Sequence, residues 1–575
     1  MKLRVRSICF LGAVCASTAS GFSIDREAFT FTNYDLIVRI EPEQQRLGVR
    51  GKITLRNDSI TPQKIAVLQI SSSLEWRAIK AGDQSLQFVT QPYTSDIDHT
   101  GALSEAVVTL PQPVTPKETV ELEIAYEGVI LLDATRRTRI GTPEAAAVST
   151  DWDQISAKFT AVRGAGFVAW YPIATEAASL SEGEDLSEVL SRWKAREAAS
   201  LMNVAFNSLT SGDVTPPTML CGGTELRATA LEATTKLAPS KCLYQPLGLS
   251  VPAFVVATYG VVARPAITVY NLPKHAVAAE AYADAAEKTA ALITEWFGAP
   301  RRKAETADLA DPNAAPFESG TLLLTPLTVA DPKLAGLVAA HQLTHAAFYS
   351  PRPWIEEGLA HFAQALYLEQ QRGRQTALDY MGLHRAAFSE VEKQPTAPGP
   401  EDGRNRTLVN TVNEDLYRGK AMYVWWMLRD MVGDQALKKA LAAYRPEQDK
   451  EPSYMSHLIQ EQTSRDLEWF FDDWVYRDRS LPEFKIESAF PRKTDNDAYL
   501  LTITLDNLGG AGAEVPLTVR FSGGEVGKRL EVRAKSKAVI RIDVPARPIE
   551  VLVNDGSVPE SDTANNTFKI KTEQE

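Results

Sequence analysis

From Tyr34 the chain reads YDLIVRIEPEQQRLGVRGKITLRND, where Leu36, Val38 and Ile40 alternate with polar residues and Ile53 and Leu55 repeat the pattern. Period-two alternation interrupted by turn residues such as Gly48 and Gly51 predicts half-buried strands. Similar short runs continue to VPAFVVATYGVVARPAITVY, so residues 22–265 are expected to form a β-rich domain. After Pro273 the character changes. HAVAAEAYADAAEKTAALITEWFGAP is a strong helix former, stopped by Gly298 and Pro300. Helical segments dominate to about Ser480, including the stretch from Tyr417 to Tyr444 and DLEWFFDDWVYRD. From Leu481 alternation returns. Leu501, Ile503 and Leu505 share one face, as do Leu517, Val519 and Phe521, with NLGGAG and SGGE as turns. The pattern predicts a multidomain α+β chain: an N-terminal β-sheet domain, a mainly helical domain over 266–480 and a C-terminal β-sandwich over 481–575. The acidic stretch NDGSVPESDTANN reads as polar turns rather than an ion site.

At 575 residues the chain has room for roughly three or four domains on the usual size prior. A formal net charge of −12 and the absence of a compact basic patch argue against nucleic acid as a partner. Lys2, Arg4 and Arg6 precede the short apolar run ICFLGAVCA and the small residues STASG, the order of a secretory signal peptide over residues 1–20. The run is too short to span a bilayer, and no later segment is apolar enough to do so, so no transmembrane segment is expected. The protein is expected to be exported, either periplasmic or secreted. Beyond that leader two cysteines remain, Cys221 and Cys242. An oxidising compartment favours a bridge between them over two buried thiols.

The candidate chemistry lies in DPKLAGLVAAHQLTHAAFYSPRPWIEEGLAHFAQ. On a helix, positions i and i+4 stack on one face, so His341 and His345 can aim two imidazoles at one point. SPRP breaks that helix and WIEEGLAHFAQALYLEQ begins another. In a hairpin turning between Ser350 and Pro353, His345 and Glu357 both sit roughly 6–8 Å from the turn, side by side. Two imidazoles and one carboxylate with a fourth position open make a catalytic-type zinc site.

WIEEGLA resembles the WLNEGFA segment of the membrane alanine aminopeptidase family of zinc peptidases, the gluzincins related to leukotriene hydrolase. LYRGKAMYVWWMLRDMVGDQAL resembles that family's YEKGA…MLR…GD helix, APFESGTLLL its GAMENWGLI segment, and FFDDWVYRDRSLPEFKI the end of its catalytic region. YDLIVRI…LGVRGKITL is also similar to the family's opening strands, so weak similarity covers most of residues 30–490 with the motifs in order. The resemblance implies a thermolysin-like central domain, one bound zinc ion and a peptide or protein as substrate or ligand. It implies His341, His345 and Glu357 as metal ligands, Tyr417 as the group that stabilises the oxyanion, and Glu318 as the anchor for a substrate's free amine. Eleven residues separate His345 from Glu357, fewer than in the family. The amine-binding segment keeps the glutamate but neither its glycine nor its asparagine, and the family's large helical C-terminal domain has no room.

The departure with chemical consequences is Gln342, which makes the motif HQxxH where the family has HExxH. The glutamate takes a proton from the attacking water and delivers it to the leaving amine. An amide has no basic lone pair near neutral pH, and general acid–base catalysis contributes about 10²–10⁴-fold. Glu356 adjoins Glu357, but neighbouring helix positions point about 100° apart, so it is expected to face away from the metal. His361, four residues beyond Glu357, can be an outer partner, an extra ligand, a replacement base or a packing residue. The leading expectation is an exported zinc metallopeptidase-like protein of aminopeptidase type with impaired hydrolysis. The alternative is a zinc-retaining pseudoenzyme that binds peptides or proteins without cleaving them.

Overall fold

The computed structural model describes residues 24–182, 186–209, 217–227, 237–327, 332–393, 407–477, 479–494 and 498–570. The signal segment expected at 1–20 lies outside the described residues.

The N-terminal alternation becomes the centre of an eight-stranded sheet. Strand Phe29–Glu41 pairs antiparallel with Arg46–Asn57 on one side and parallel with Leu201–Leu209 on the other. Leu36, Val38 and Ile40 are fully buried while Ile37 between them is 38% exposed, as period two requires. A three-stranded sheet, Gln63–Ser71, Phe88–Thr94 and Ala102–Val114, shares the core beneath it. Cys221 and Cys242 are disulfide-bonded, joining strand Thr218–Cys221 of a second three-stranded sheet to strand Leu237–Tyr244 of the large one. Helix α1, Leu186–Glu197, belongs to this half of the molecule and packs against the first strand.

The central region is less purely helical than the pattern predicts. A mixed five-stranded sheet runs in the order Gly260–Ala263, Ile267–Asn271, Ala304–Asp308, Leu322–Thr325, Phe317–Ser319. Its first strand lies before residue 265 and pairs with Ile267–Asn271 beyond it. Three to five residues per strand are too few to give a periodic signal, which is why these strands escape a sequence reading.

Helices cover this sheet. Helix α2 spans Ala276–Phe297 and stops at Gly298 (φ +89°), as predicted. Helices α3, Pro332–Ala347, and α4, Pro353–Arg372, form the expected hairpin, followed by α5, Arg374–Lys393, and α6, Ala421–Val432. Two glycines set how closely they pack. A Cβ on Gly336 of α3 would fall 2.0 Å from the Tyr367 hydroxyl of α4. One on Gly358 of α4 would fall 2.7 Å from Cβ of Ala421 on α6. Trp354 and Trp425 stack with centroids 5.2 Å apart across the same α4–α6 contact.

The C-terminal strands form a three-stranded and a four-stranded sheet. Leu501, Ile503 and Leu505 of one and Leu517 and Val519 of the other are fully buried and belong to the same core as the central helices. The stretch at 554–566 is turn structure: the Asn554 side chain donates to the carbonyl of Val558 and to Glu560. Among the described residues no helix is long and apolar enough to cross a membrane.

Candidate metal centre

Helix α3 brings the two imidazoles together as the spacing predicts. His341 Nε2 and His345 Nε2 are 3.2 Å apart. A tetrahedral zinc ion with Zn–N bonds of about 2.0–2.1 Å would hold two ligand nitrogens roughly 3.3–3.4 Å apart, so the pair needs almost no adjustment. Glu356 holds one ring from behind: its carboxylate lies 3.1 Å from His345 Nδ1 and also accepts from the Ser350 amide. It faces away from the metal position, as expected, but its work is to fix the orientation of His345 through the nitrogen that does not bind metal.

The carboxylates are arranged differently from the expectation. Glu318, predicted to anchor a substrate amine, sits with Oε2 3.2 Å from His341 Nε2, and it completes a group with both histidines whose ligand atoms all lie within 4.8 Å. Its other oxygen, Oε1, is buried without a hydrogen bond. Glu357, predicted as the third ligand, stands further out, 4.0 Å from His341 Nε2. The Arg418 guanidinium takes its Oε2 at 3.1 Å.

The electrostatics favour a cation. Burial alone would lower the pKa of His345, but Glu318, Glu356 and Glu357 outweigh it and push the ring up to about 10. Burial would raise the Glu357 carboxyl, yet Arg418, His345 and His341 hold it well below the usual carboxylate range. A metal ion bound here would displace the proton from His345. Two converging imidazoles, a carboxylate oxygen with no partner and a second carboxylate nearby fit zinc by donor type and spacing.

Gln342 is not in the cleft. It is 1% exposed and its amide is fully committed elsewhere. Nε2 donates to the carbonyls of Glu305 at 2.7 Å and Thr321 at 3.3 Å. Oε1 accepts from Tyr282 at 3.1 Å and Thr306 at 3.2 Å. The side chain pins α3 to strand Ala304–Asp308, to the turn that precedes strand Leu322–Thr325, and to α2. The amide is thereby saturated, because two donors and two acceptor positions are all an amide has.

Tyr417 and Arg418 sit on a π-helical turn, Asp415–Lys420, that leads into α6. Such turns often re-aim side chains at functional sites. Tyr417 is 4% exposed; its hydroxyl donates to Glu414 at 3.1 Å and lies 3.4 Å from Ser191 Oγ of α1. His361 stacks edge-on against His341, centroids 5.0 Å apart, and continues to His384 at 5.3 Å. Its Nδ1 is buried without a hydrogen bond, and burial drives its pKa well below the ordinary histidine value, so the ring is neutral.

The surrounding cleft has a volume of about 520 Å³ and is walled partly by the N-terminal half, through Phe167, Lys194 and Tyr244. That half also fixes the strand carrying Glu318. Phe167 packs against Phe317 at 5.2 Å, Trp152 donates to the carbonyl of Ala315 at 2.9 Å, and Ser319 donates to the carbonyl of Val251 at 2.6 Å. Sequence reading missed Glu356 as an orienting group, Arg418 as the partner of Glu357, and Lys194 altogether. Arg418 follows Tyr417 directly and could have been weighed with it; Lys194 comes from a distant segment and carries no local signal.

Among solved structures, the chain is similar to the crystal structure of an M1 zinc metallopeptidase from Deinococcus radiodurans: 16% sequence identity and a TM-score of 0.48, over 79% of this chain and 96% of that one. No family model and no curated protein matches the sequence.

Proposed function

We propose that this chain is an exported, zinc-holding protein of metallopeptidase-like, aminopeptidase-type organisation whose cleft binds peptides and cleaves them slowly or not at all. The observation that carries the reading is the burial of Gln342 in four hydrogen bonds, directly beside two histidines poised at ligand spacing. His341, His345 and the carboxylates of Glu318 and Glu357 would hold the ion. With both carboxylates bound, zinc would hold the two imidazoles and the cleft wall in place rather than polarise a peptide carbonyl.

The protein's own groups argue for retention of a ligand rather than turnover. Glu318 and Glu357 together with the histidines would make four protein ligands, the closed set of a structural site, whereas hydrolysis needs an open position. Glu356 is engaged by His345 and the Ser350 amide, and Tyr417 donates its proton to Glu414. The residues at the positions of base and oxyanion donor are thus spent on internal bonds. The Cys221–Cys242 disulfide supports an oxidising compartment and so export.

The test pairs metal content with hydrolysis, using aminoacyl and short peptide substrates on the full chain with and without chelator. The expected result is one zinc per chain, lost in His345→Ala, with peptide binding but cleavage no faster than the chelated protein. Metal-dependent turnover in the ordinary enzyme range of ~1–10³ s⁻¹ would overturn the binding reading. Absence of bound zinc would overturn the metal site.

A further inference from the structure

Beside the metal cleft lies a second, smaller cavity of about 240 Å³, and the two share Lys194, Leu249 and Glu357 as a common wall. Ser191 and Tyr417 give it hydroxyls, and Leu249 and Val409 give it apolar sides. Lys194 is the cation on this wall without a partner. It is half-buried, it lies near the end of α1, and among the described residues its ammonium makes no hydrogen bond or ion pair.

The reason is the arrangement around it. The two acids it faces, Glu414 and Glu357, are already gripped by Arg418 at 2.8 and 3.1 Å. Tyr417 also donates to Glu414. Lys194 is therefore a surplus donor in a place where an ammonium loses water and gains no direct partner, which is costly unless a ligand supplies one. One ammonium matches a singly charged carboxylate better than a phosphate dianion, which draws several cations or a bidentate arginine. The cavity is of the size of one side chain or chain end, not of a whole peptide.

We infer that this side cavity receives a carboxylate of the bound peptide, paired with Lys194, so that the cleft selects acidic ligands. The inference rests on the peptide-binding reading above. The carboxylate can come from an aspartate or glutamate side chain or from a free C-terminus, and the chemistry at Lys194 is the same for both.

The test is equilibrium binding of fluorescently labelled hexapeptides to the full zinc-loaded chain, varying one position among Glu, Gln and Leu and the C-terminus between carboxylate and amide. Carboxylate-bearing peptides are expected to bind about tenfold more tightly than their amide counterparts, the scale of one charge-assisted hydrogen bond. The position at which the preference appears tells side chain from terminus. Lys194→Met should abolish the preference and Lys194→Arg should keep most of it, with both variants checked for native circular dichroism and melting. A preference that survives Lys194→Met, or binding with no preference in the native chain, overturns this inference and leaves the peptide-binding reading intact. Failure of every peptide to bind removes both.

Discussion

Gln342→Glu, which would turn HQxxH into the HExxH pattern it resembles, is the obvious attempt to obtain hydrolysis, and the structure predicts that it damages the fold instead. The native amide donates to two carbonyls, Glu305 at 2.7 Å and Thr321 at 3.3 Å, at a site 1% exposed. A carboxylate there would set negative oxygens against both carbonyls with no water to separate them. It therefore stays protonated. Holding a carboxyl of ordinary pKa about 4.3 neutral at pH 7 costs about 3.7 kcal/mol, at 1.36 kcal/mol per unit. The acid can donate to one carbonyl only, and leaving the weaker bond to Thr321 unmade adds about 1 kcal/mol.

The expected loss is thus about 5 kcal/mol at pH 7 and about 1 kcal/mol at pH 4. The sign follows from linkage: the folded-state pKa is raised, so the penalty is absent below the unfolded pKa and grows as pH rises above it. Urea denaturation of native and Gln342→Glu chains between pH 4 and 8 measures the difference directly. Gln342→Met, which cannot ionise, should be destabilised by an amount that does not change with pH. A Gln342→Glu protein as stable as the native chain at pH 7, above all one that gains zinc-dependent hydrolysis, would refute the reasoning. Position 342 would then face the cleft.

Two further outcomes follow from the N-terminal half. Burial raises the Glu197 carboxyl to about 7, against the opposing pull of Arg196 and the Phe31 amide. The native fold therefore loses stability between about pH 4.5 and 7, by about 3 kcal/mol in all, as the carboxyl is forced to ionise. Glu197→Gln should flatten that decline, leaving pH 4.5 unchanged and gaining up to this amount above pH 7; parallel pH–stability curves would contradict it. Replacing Cys221 and Cys242 by serine removes a bridge across 21 residues of sequence and should cost about 3 kcal/mol, read as a lower urea midpoint for the N-terminal transition.

The sequence by itself determined the parts governed by local periodicity. The alternation at Leu36, Val38 and Ile40, the α3–α4 hairpin and the convergence of His341 with His345 all depend on residues close in the chain. Helical or strand geometry turns such spacing directly into position. The stop of α2 at Gly298 and the turns at 554–566 are local for the same reason. Tertiary structure decided whatever depends on which face of an element meets which neighbour. That Gln342 turns to the sheet rather than the cleft is set by the carbonyls of Glu305 and Thr321 and the hydroxyls of Tyr282 and Thr306, which together offer an amide all its hydrogen bonds. That Glu318 sits on the histidines while Glu357 is held by Arg418 depends on how a strand from one segment meets α3 and a π-helical turn from another meets α4. Lys194 reaches the cleft only because α1 of the N-terminal half packs over it. A motif names the residues that can meet; the burial of polar groups, each requiring a partner, decides which of them do.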